Sequence, residues 1–424
     1  MKSSERLAIA FDVGTTTIAA SLLDPGKGER LAAAGSLNPQ REFGADVVSR
    51  LDAACDSPEK LKRLARLINK ELERLATELL AAAGASIRDV AVIAIAGNPA
   101  MEHLVLELPV RSLAFPPYRP LFTAGKMVST ATLGWHKDID LLLFPLPGGF
   151  VGGDLVAFLY GVGAGPRSSG IGARLYLDLG TNGEMALTTG TGIFATSAAA
   201  GPAFEGGNLE YGMAALPGAI SGVTFSADSV KIAAIPGASP AGVCGSGVID
   251  AVAGLLRTGV VDATGRLRSP DEIPSNLANR LAERNGEAAF VLYRDARGEI
   301  CLTQQDIRQV QLAKAAIRAG MEVLFERAGI RSEDLEGVVL TGSFGSRLSP
   351  GELKNVGIFP EKMVEICSFV RDGALAGVEK ALRTPRGFEA VDRLASSLRV
   401  IPLSGTPAFE KHFLEYMNFP KHEI

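Results

Sequence analysis

Cysteine is scarce and scattered: the chain has 4 in 424 residues, Cys55, Cys244, Cys301 and Cys367, with no CxxC pair. A cluster held within this chain would need thiolates converging from far apart, so no iron–sulfur cluster is expected here, and the four read as buried thiols. No uncharged apolar run reaches about 18 residues, the length of a membrane span. Residues 1–6 (MKSSER) lead straight into a strand and offer no secretory h-region, which points to the cytoplasm. Basic blocks are also missing. The net charge is -4, so nucleic acid is a poor partner. No GxxxxGK[ST] motif occurs, which excludes a P-loop. Hydrophobic residues make up 47% and charged residues 21%, near globular norms, and the length suits two or three domains with a large core.

What is present begins with an apolar run, residues 7–11, leading into Asp12, Gly14, Thr15, Thr16 and Thr17, after which residues 18–23 read as a second strand. A tight hairpin follows from that pattern. Gly14 leaves backbone N–H groups uncovered, the threonines add hydroxyls, and Asp12 brings an acid to the strand end. Together these make an anion cradle beside a group that can hold a hydrated cation. One such turn is ordinary hairpin chemistry. A second changes the odds: residues 175–187 (LYLDLGTNGEMAL) repeat strand, acid, turn and strand with Asp178, Gly180, Thr181, Asn182 and Gly183, about one domain length later. A third element, residues 337–346 (GVVLTGSFGS), is an apolar run ending in a loop where Gly342, Ser343 and Gly345 let a ligand approach the backbone closely.

Several elements are legible from their ends. Ser57 caps, Pro58 opens, Gly84 stops and Leu61, Leu64, Ile68, Leu72, Leu75 and Leu79 stripe one helix. Thr303 and Asp306 form a capping-box pattern opening a long helix through Ala328. Gln311 and Lys314 on that helix are weak candidates to border an adenine. Residues 90–96 read as a buried strand before Gly97 and Asn98; Asn98 is equally readable as a helix cap or a site residue at the strand-end rim. His103 reads as structural. Residues 115–120 (FPPYRP) read as a stiff extended connector. The Pro/Gly stretch at 147–153 is the candidate boundary between a first domain, residues 1–145, and a second, residues 146–424. Asp154, just after two glycines, reads as an N-cap on local grounds. Ser246, ahead of a helix over residues 248–257, can cap it.

The two acid-bearing turns and the late VVLTGSFGS loop resemble the nucleotide site of the acetate kinase, sugar kinase, heat-shock chaperone and actin superfamily (ASKHA). The resemblance implies an α/β fold of two RNase-H-like, actin-like domains around a central nucleotide cleft. It further implies ATP with Mg²⁺ near Asp12 and Asp178, phosphates on both turns and adenosine on the Gly342, Ser343 and Gly345 loop. Asp154 becomes the residue orienting water or a hydroxyl, with Glu184 in reserve. Longer segments, among them FGADVVSRL (43–51), AGNPAMEHL (96–104), GGFVGGD (148–154), GVCGSGVID (242–250) and LTQQDIRQVQLAKAAI (302–317), resemble the ATPase region of the reductive activators of corrinoid proteins. That family uses ATP to drive reduction of cob(II)alamin in methyl-transferring corrinoid proteins. Members usually carry a ferredoxin-like iron–sulfur domain, which clustered cysteines do not mark here. The expectation is therefore a cytoplasmic ATPase serving a corrinoid protein, with a separate ferredoxin-type electron donor and the homodimer question open. A small-molecule kinase, a non-catalytic nucleotide-dependent interaction module and a relative of the dehydratase activators are the alternatives.

Overall fold

The structure is a computed structural model that describes residues 6–165, 172–342 and 348–422. It contains two compact units. One comprises Met1–Ile171, Thr188–Thr196 and Asp372–Ile401; the other comprises Gly172–Leu187, Ser197–Arg371 and Pro402–Ile424.

The first unit is built on a six-stranded sheet running, in spatial order, Glu29–Leu37, Thr17–Asp24, Leu7–Val13, Val90–Gly97, Asp140–Leu143 and Lys126–Ser129. The first three strands form an antiparallel meander, and Val90–Gly97 lies parallel to Leu7–Val13 on its other edge. Central strands covered on both faces are apolar throughout, yet side-chain direction still alternates. Ile9, Phe11 and Val13 enter a core with Leu64, Ile68, Leu72 and Leu75 of the helix Pro58–Ala83. Ala10, with Ala94 and Ala96, enters another with Val156, Leu375 and Val378 from the helices Gly153–Gly161 and Gly373–Arg383. Those alanines let the helices come close. A Cβ on Gly377 would sit 1.7 Å from the Ala157 carbonyl oxygen.

The helix ends follow their local chemistry. Ser57 accepts from Lys60 N and Gly84 turns left-handed at φ 64. Thr303 and Asp306 close a reciprocal capping box on Gln304–Ala328, which ends at left-handed Gly329.

In the second unit, the strand Ala173–Leu179 neighbours Gly183–Thr189 across the second turn, while Leu335–Gly342 pairs parallel on its other edge and Cys367–Phe369 pairs parallel beyond that. Strand, turn, strand and a parallel neighbour thus recur in both units. The long helix packs here: a Cβ on Gly183 would meet Ile317 Cγ1 at 2.9 Å, and one on Gly320 would meet Met185 Cε at 2.9 Å. A smaller sheet of Ala219–Phe225, Val230–Ala234 and Gly242–Val243 packs on the helix Gly245–Arg257.

Two local expectations change, and Gln311 and Lys314 take partners the sequence did not show. Ser246 does not cap: its hydroxyl donates to Ser221 O at 2.8 Å, and the helix starts earlier, at Gly245, without a side-chain cap. The FPPYRP segment bends instead of running straight. Tyr118 takes φ 53 and donates its N–H to Phe115 O at 3.0 Å, a turn that prolines alone do not encode. Gln311 and Lys314 bind the C-terminal segment: Gln311 Nε2 donates to Met417 O at 3.1 Å, and the Lys314 ammonium donates to the Tyr416 and Asn418 carbonyls.

Candidate functional site

The first turn is held from three directions. Its flanking strands pair Asp12 with Ala19 and Val13 with Ile18. The turn is tight enough that a Cβ on Gly14 would lie 2.7 Å from Thr17 O, so a side chain there would force the backbone open. Asn38 Nδ2 donates to Gly14 O at 2.9 Å, and Asn38 N–H donates to Thr16 O at 2.8 Å. Asn98 Nδ2 donates to the Thr15 hydroxyl at 3.0 Å. Thr15 is consequently buried, whereas Thr17 is exposed.

Asn98 is the helix cap the sequence offered, and it also reaches the turn. Besides gripping Thr15, its Oδ1 accepts from Met101 N at 3.1 Å and caps the helix Pro99–Val105. The parallel register places Gly97 opposite Val13, and a Cβ on Gly97 would fall 2.9 Å from Val13 O. The start of the Asp154 helix comes to the same place: a Cβ on Gly152 would lie 2.5 Å from Asn98 Cα, and one on Gly153 would lie 2.4 Å from Glu102 Oε1. Turn, Asn98 and the Asp154 helix therefore converge within one unit.

Asp154 is not the cap it resembles locally. Gly152 occupies the N-cap and no side chain caps this helix; the Asp154 carboxylate accepts from Leu155 N at 2.8 Å, inside the first turn. Burial pushes its carboxyl up to about 6, partly offset by that N–H. Glu102 is fully buried, and its carboxyl lies well above the usual range because of burial first and the Asp154 charge second, with the Gly97 N–H pulling the other way. Sequence reading passed over Glu102. The available signal was an acid among Ala100, Met101, Leu104 and Val105, all buried on a short helix.

His103 is structural, as expected. Its Nδ1–H donates to Pro99 O at 2.7 Å and its Nε2 accepts from Leu121 N at 3.0 Å, which uses both ring nitrogens.

In the second unit the turn after Asp178 is closed by Gly180 N–H donating to Asn182 O at 3.1 Å. The Thr181 hydroxyl donates to the Glu205 carboxylate. Glu205 comes from the glycine-rich loop 199–207 and was not singled out in the sequence, because a contact between residues 181 and 205 leaves no local pattern. The third element arrives beside this turn: Asp178 pairs with Thr341 and Leu179 with Gly342 in parallel register. Gly342 has φ 137, and a Cβ on it would sit 2.5 Å from Leu179 O, so glycine is required there. Ser343 and Gly345 lie outside the described residues. Glu184 is buried on the strand leaving the turn.

Among the described residues no group of three or more His, Cys, Asp or Glu stands ready to hold a metal ion directly. Hydrated Mg²⁺ needs only one or two carboxylates beside phosphate oxygens. Asp12 in the first unit and Asp178 in the second each stand near a strand end ahead of a glycine turn.

A family model described as the C-terminal domain of RACo, the ASKHA domain, matches residues 172–424, and one described as the RACo middle region matches residues 7–164. The corrinoid activation enzyme RamQ of Eubacterium limosum is 32% identical over 416 residues, covering 96% of this chain and 69% of that protein. The [Co(II) methylated amine-specific corrinoid protein] reductase of Methanosarcina barkeri is 25% identical over 422 residues, covering 91% of this chain and 71% of that protein. Among solved structures, a reductive activator for corrinoid, iron–sulfur protein matches with a TM-score of 0.89 at 29% identity, over 99% of this chain and 67% of that one. The chain belongs to the RACo family, the reductive activators of corrinoid proteins, and has its ASKHA, actin-like ATPase fold.

Proposed function

We propose that this chain binds ATP with Mg²⁺ and hydrolyses it to support reduction of a corrinoid methyl-transfer protein from the cob(II) to the cob(I) state. The observation that carries the reading is the convergence of the Gly14 turn, Asn98 and Asp154 in a chain that matches the RACo models along nearly its whole length.

Phosphoryl transfer needs little covalent help from a protein; it needs neutralised charge, oriented donors and a placed nucleophile. Backbone N–H groups and hydroxyls at Gly14, Thr15, Thr16 and Thr17, and at Gly180, Thr181, Asn182 and Gly183, donate to phosphate oxygens. Asn38 and Asn98 hold the first of these turns in its donating shape, and Glu205 holds Thr181 in the second. Were Mg²⁺ to accompany the nucleotide, Asp12 in the first unit and Asp178 in the second are the carboxylates that would help hold it, and it would supply charge neutralisation on the phosphates. Gly342 is the described residue assigned to the adenosine. Asp154 orients the attacking water; with its carboxyl at about 6 it is ionised at neutral pH and accepts a hydrogen bond from that water. The electron comes from a ferredoxin-type donor outside these 424 residues, since the four cysteines here are free and widely spaced in sequence.

The test is phosphate release from ATP·Mg²⁺, measured anaerobically with and without a corrinoid protein and a reduced ferredoxin. Turnover stimulated by the corrinoid protein, with appearance of the cob(I) absorbance, supports the reading. A phosphorylated metabolite in place of free phosphate would move the assignment to a kinase.

A further inference from the structure

Within the second unit, the long helix Gln304–Ala328 and the C-terminal segment enclose a pocket of about 580 Å³ for which the proposed reaction has no use. A volume of that order holds a small organic molecule. Among the described residues, neither turn residues 180–183 nor Gly342 lines it. Its charged lining is unequal: Lys314, Arg318, Lys354 and Lys421 stand against Glu361 and Glu415. Those two carboxylates do little to balance the excess. Glu361 pairs with Lys354 at 3.0 Å in the open, where such a pair is worth little, and Glu415 turns to His412 Nδ1 at 3.3 Å.

Lys314 decides the chemistry. It is 1% exposed, and its ammonium donates to the Tyr416 and Asn418 carbonyls, which are neutral; among the described residues it has no carboxylate partner. A lysine carries three donors, so two carbonyls leave a third N–H and the whole buried charge unanswered. Gly357, at φ 84, keeps room beside it, since a Cβ there would lie 3.6 Å from Lys314 Nζ and 2.9 Å from Pro420 Cδ. Burial first and Arg318 second push the ammonium down to about 7, and an anion at the third N–H opposes both effects. Arg318, paired with Glu322 at 2.6 Å and lying 4.7 Å over the Tyr416 ring, is fixed in place as a second cation.

We propose that this pocket is a second ligand site, apart from the nucleotide turns, which binds the phosphate group of a small molecule through Lys314, with Arg318 and Lys421 adding their charge. A phosphate dianion matches an excess of two cations and accepts from several directions at once. Inorganic phosphate and a phosphate monoester share that chemistry, and Phe359, Tyr416 and Phe419 offer apolar walls for the body of a monoester.

The test is calorimetry on the full chain saturated with a non-hydrolysable ATP analogue and Mg²⁺, so that the turns are occupied, with inorganic phosphate and phenyl phosphate as titrants. Saturable binding is expected. Lys314→Met should weaken it at least about tenfold, the loss of a charge-assisted hydrogen bond. Lys421→Gln, at an exposed position where the fold is not at stake, should weaken it about two- to fivefold. Tighter binding of phenyl phosphate supports a monoester, and equal binding supports phosphate itself. No saturable binding of either, affinities unmoved by both substitutions, displacement by the ATP analogue, or uptake of an aspartate-rich peptide in their place overturns the proposal. A chain that takes up no ATP analogue defeats the functional reading above, while the two lysine variants still decide the pocket.

Discussion

Asn98 spans two structural levels at once: its amide nitrogen reaches the Thr15 hydroxyl at 3.0 Å, 83 residues away in sequence, while its amide oxygen caps its own helix at Met101 N. Substitution separates the two tasks. Asn98→Asp keeps the cap and loses the donor; Asn98→Ala loses both. The alanine variant should be less stable by about 1 kcal/mol from the cap alone, read from thermal or denaturant unfolding. Both variants should bind ATP more weakly. A variant pair with equal ATP affinity to the parent would mean that the Thr15 tether does not shape the turn for phosphate.

The second turn has its own brace. Glu205→Ala frees the Thr181 hydroxyl, and the ATP dissociation constant should rise by roughly tenfold or more, the lower end of the worth of one hydrogen bond to a charged group, with unfolding little changed. Titration calorimetry of ATP against parent and variant reads this directly.

Stability should depend on pH through Asp154. Its carboxyl is raised in the fold from 3.8 to about 6, so the folded state holds a proton that the unfolded chain has already released. Its contribution is complete below pH 3.8 and is lost as pH rises through about 6. Asp154→Asn should flatten that fall between pH 4 and 6 in urea-unfolding series, and an unchanged slope would place Asp154 in water.

Lys314 predicts the opposite trend at the other end of the chain. Burial first and Arg318 second push its ammonium down to about 7. Its contribution is complete above 10.5 and is lost as pH falls through about 7. Its donors serve the Tyr416 and Asn418 carbonyls, and its Nζ stands 5.3 Å from the centre of the Phe419 ring. Lys314→Met should destabilise by about 1–3 kcal/mol by leaving those carbonyls unpaired. Amide hydrogen exchange should show residues 416–419 opening before the helix Gln304–Ala328.

How much of this was legible depends on range. Ser57 with Gly84, and Thr303 with Asp306, place helix ends because the bonding partners lie within four residues. The repeated acid-and-glycine turns were visible for the same reason, and their strands formed as read. Ser246 was misread, and the contacts of Gln311 and Lys314 went unseen, because their partners, Ser221, Met417, Tyr416 and Asn418, come from other segments of the chain. Glu102 and Glu205 were passed over because burial and a distant threonine give each its meaning. Asp154 shows the limit most clearly. Local rules favour a cap, whereas Gly152 takes the N-cap and the Asp154 carboxyl lies buried inside the first turn.

The central claim is that the two acid-bearing turns bind ATP·Mg²⁺, and calorimetric titration of ATP with Mg²⁺ into parent, Asp12→Asn and Asp178→Asn chains tests it most directly. The account predicts saturable binding in the parent and a loss of about tenfold or more, ~1.4 kcal/mol, in each variant. A parent that takes up no ATP·Mg²⁺, or variants that bind it as the parent does, would contradict it.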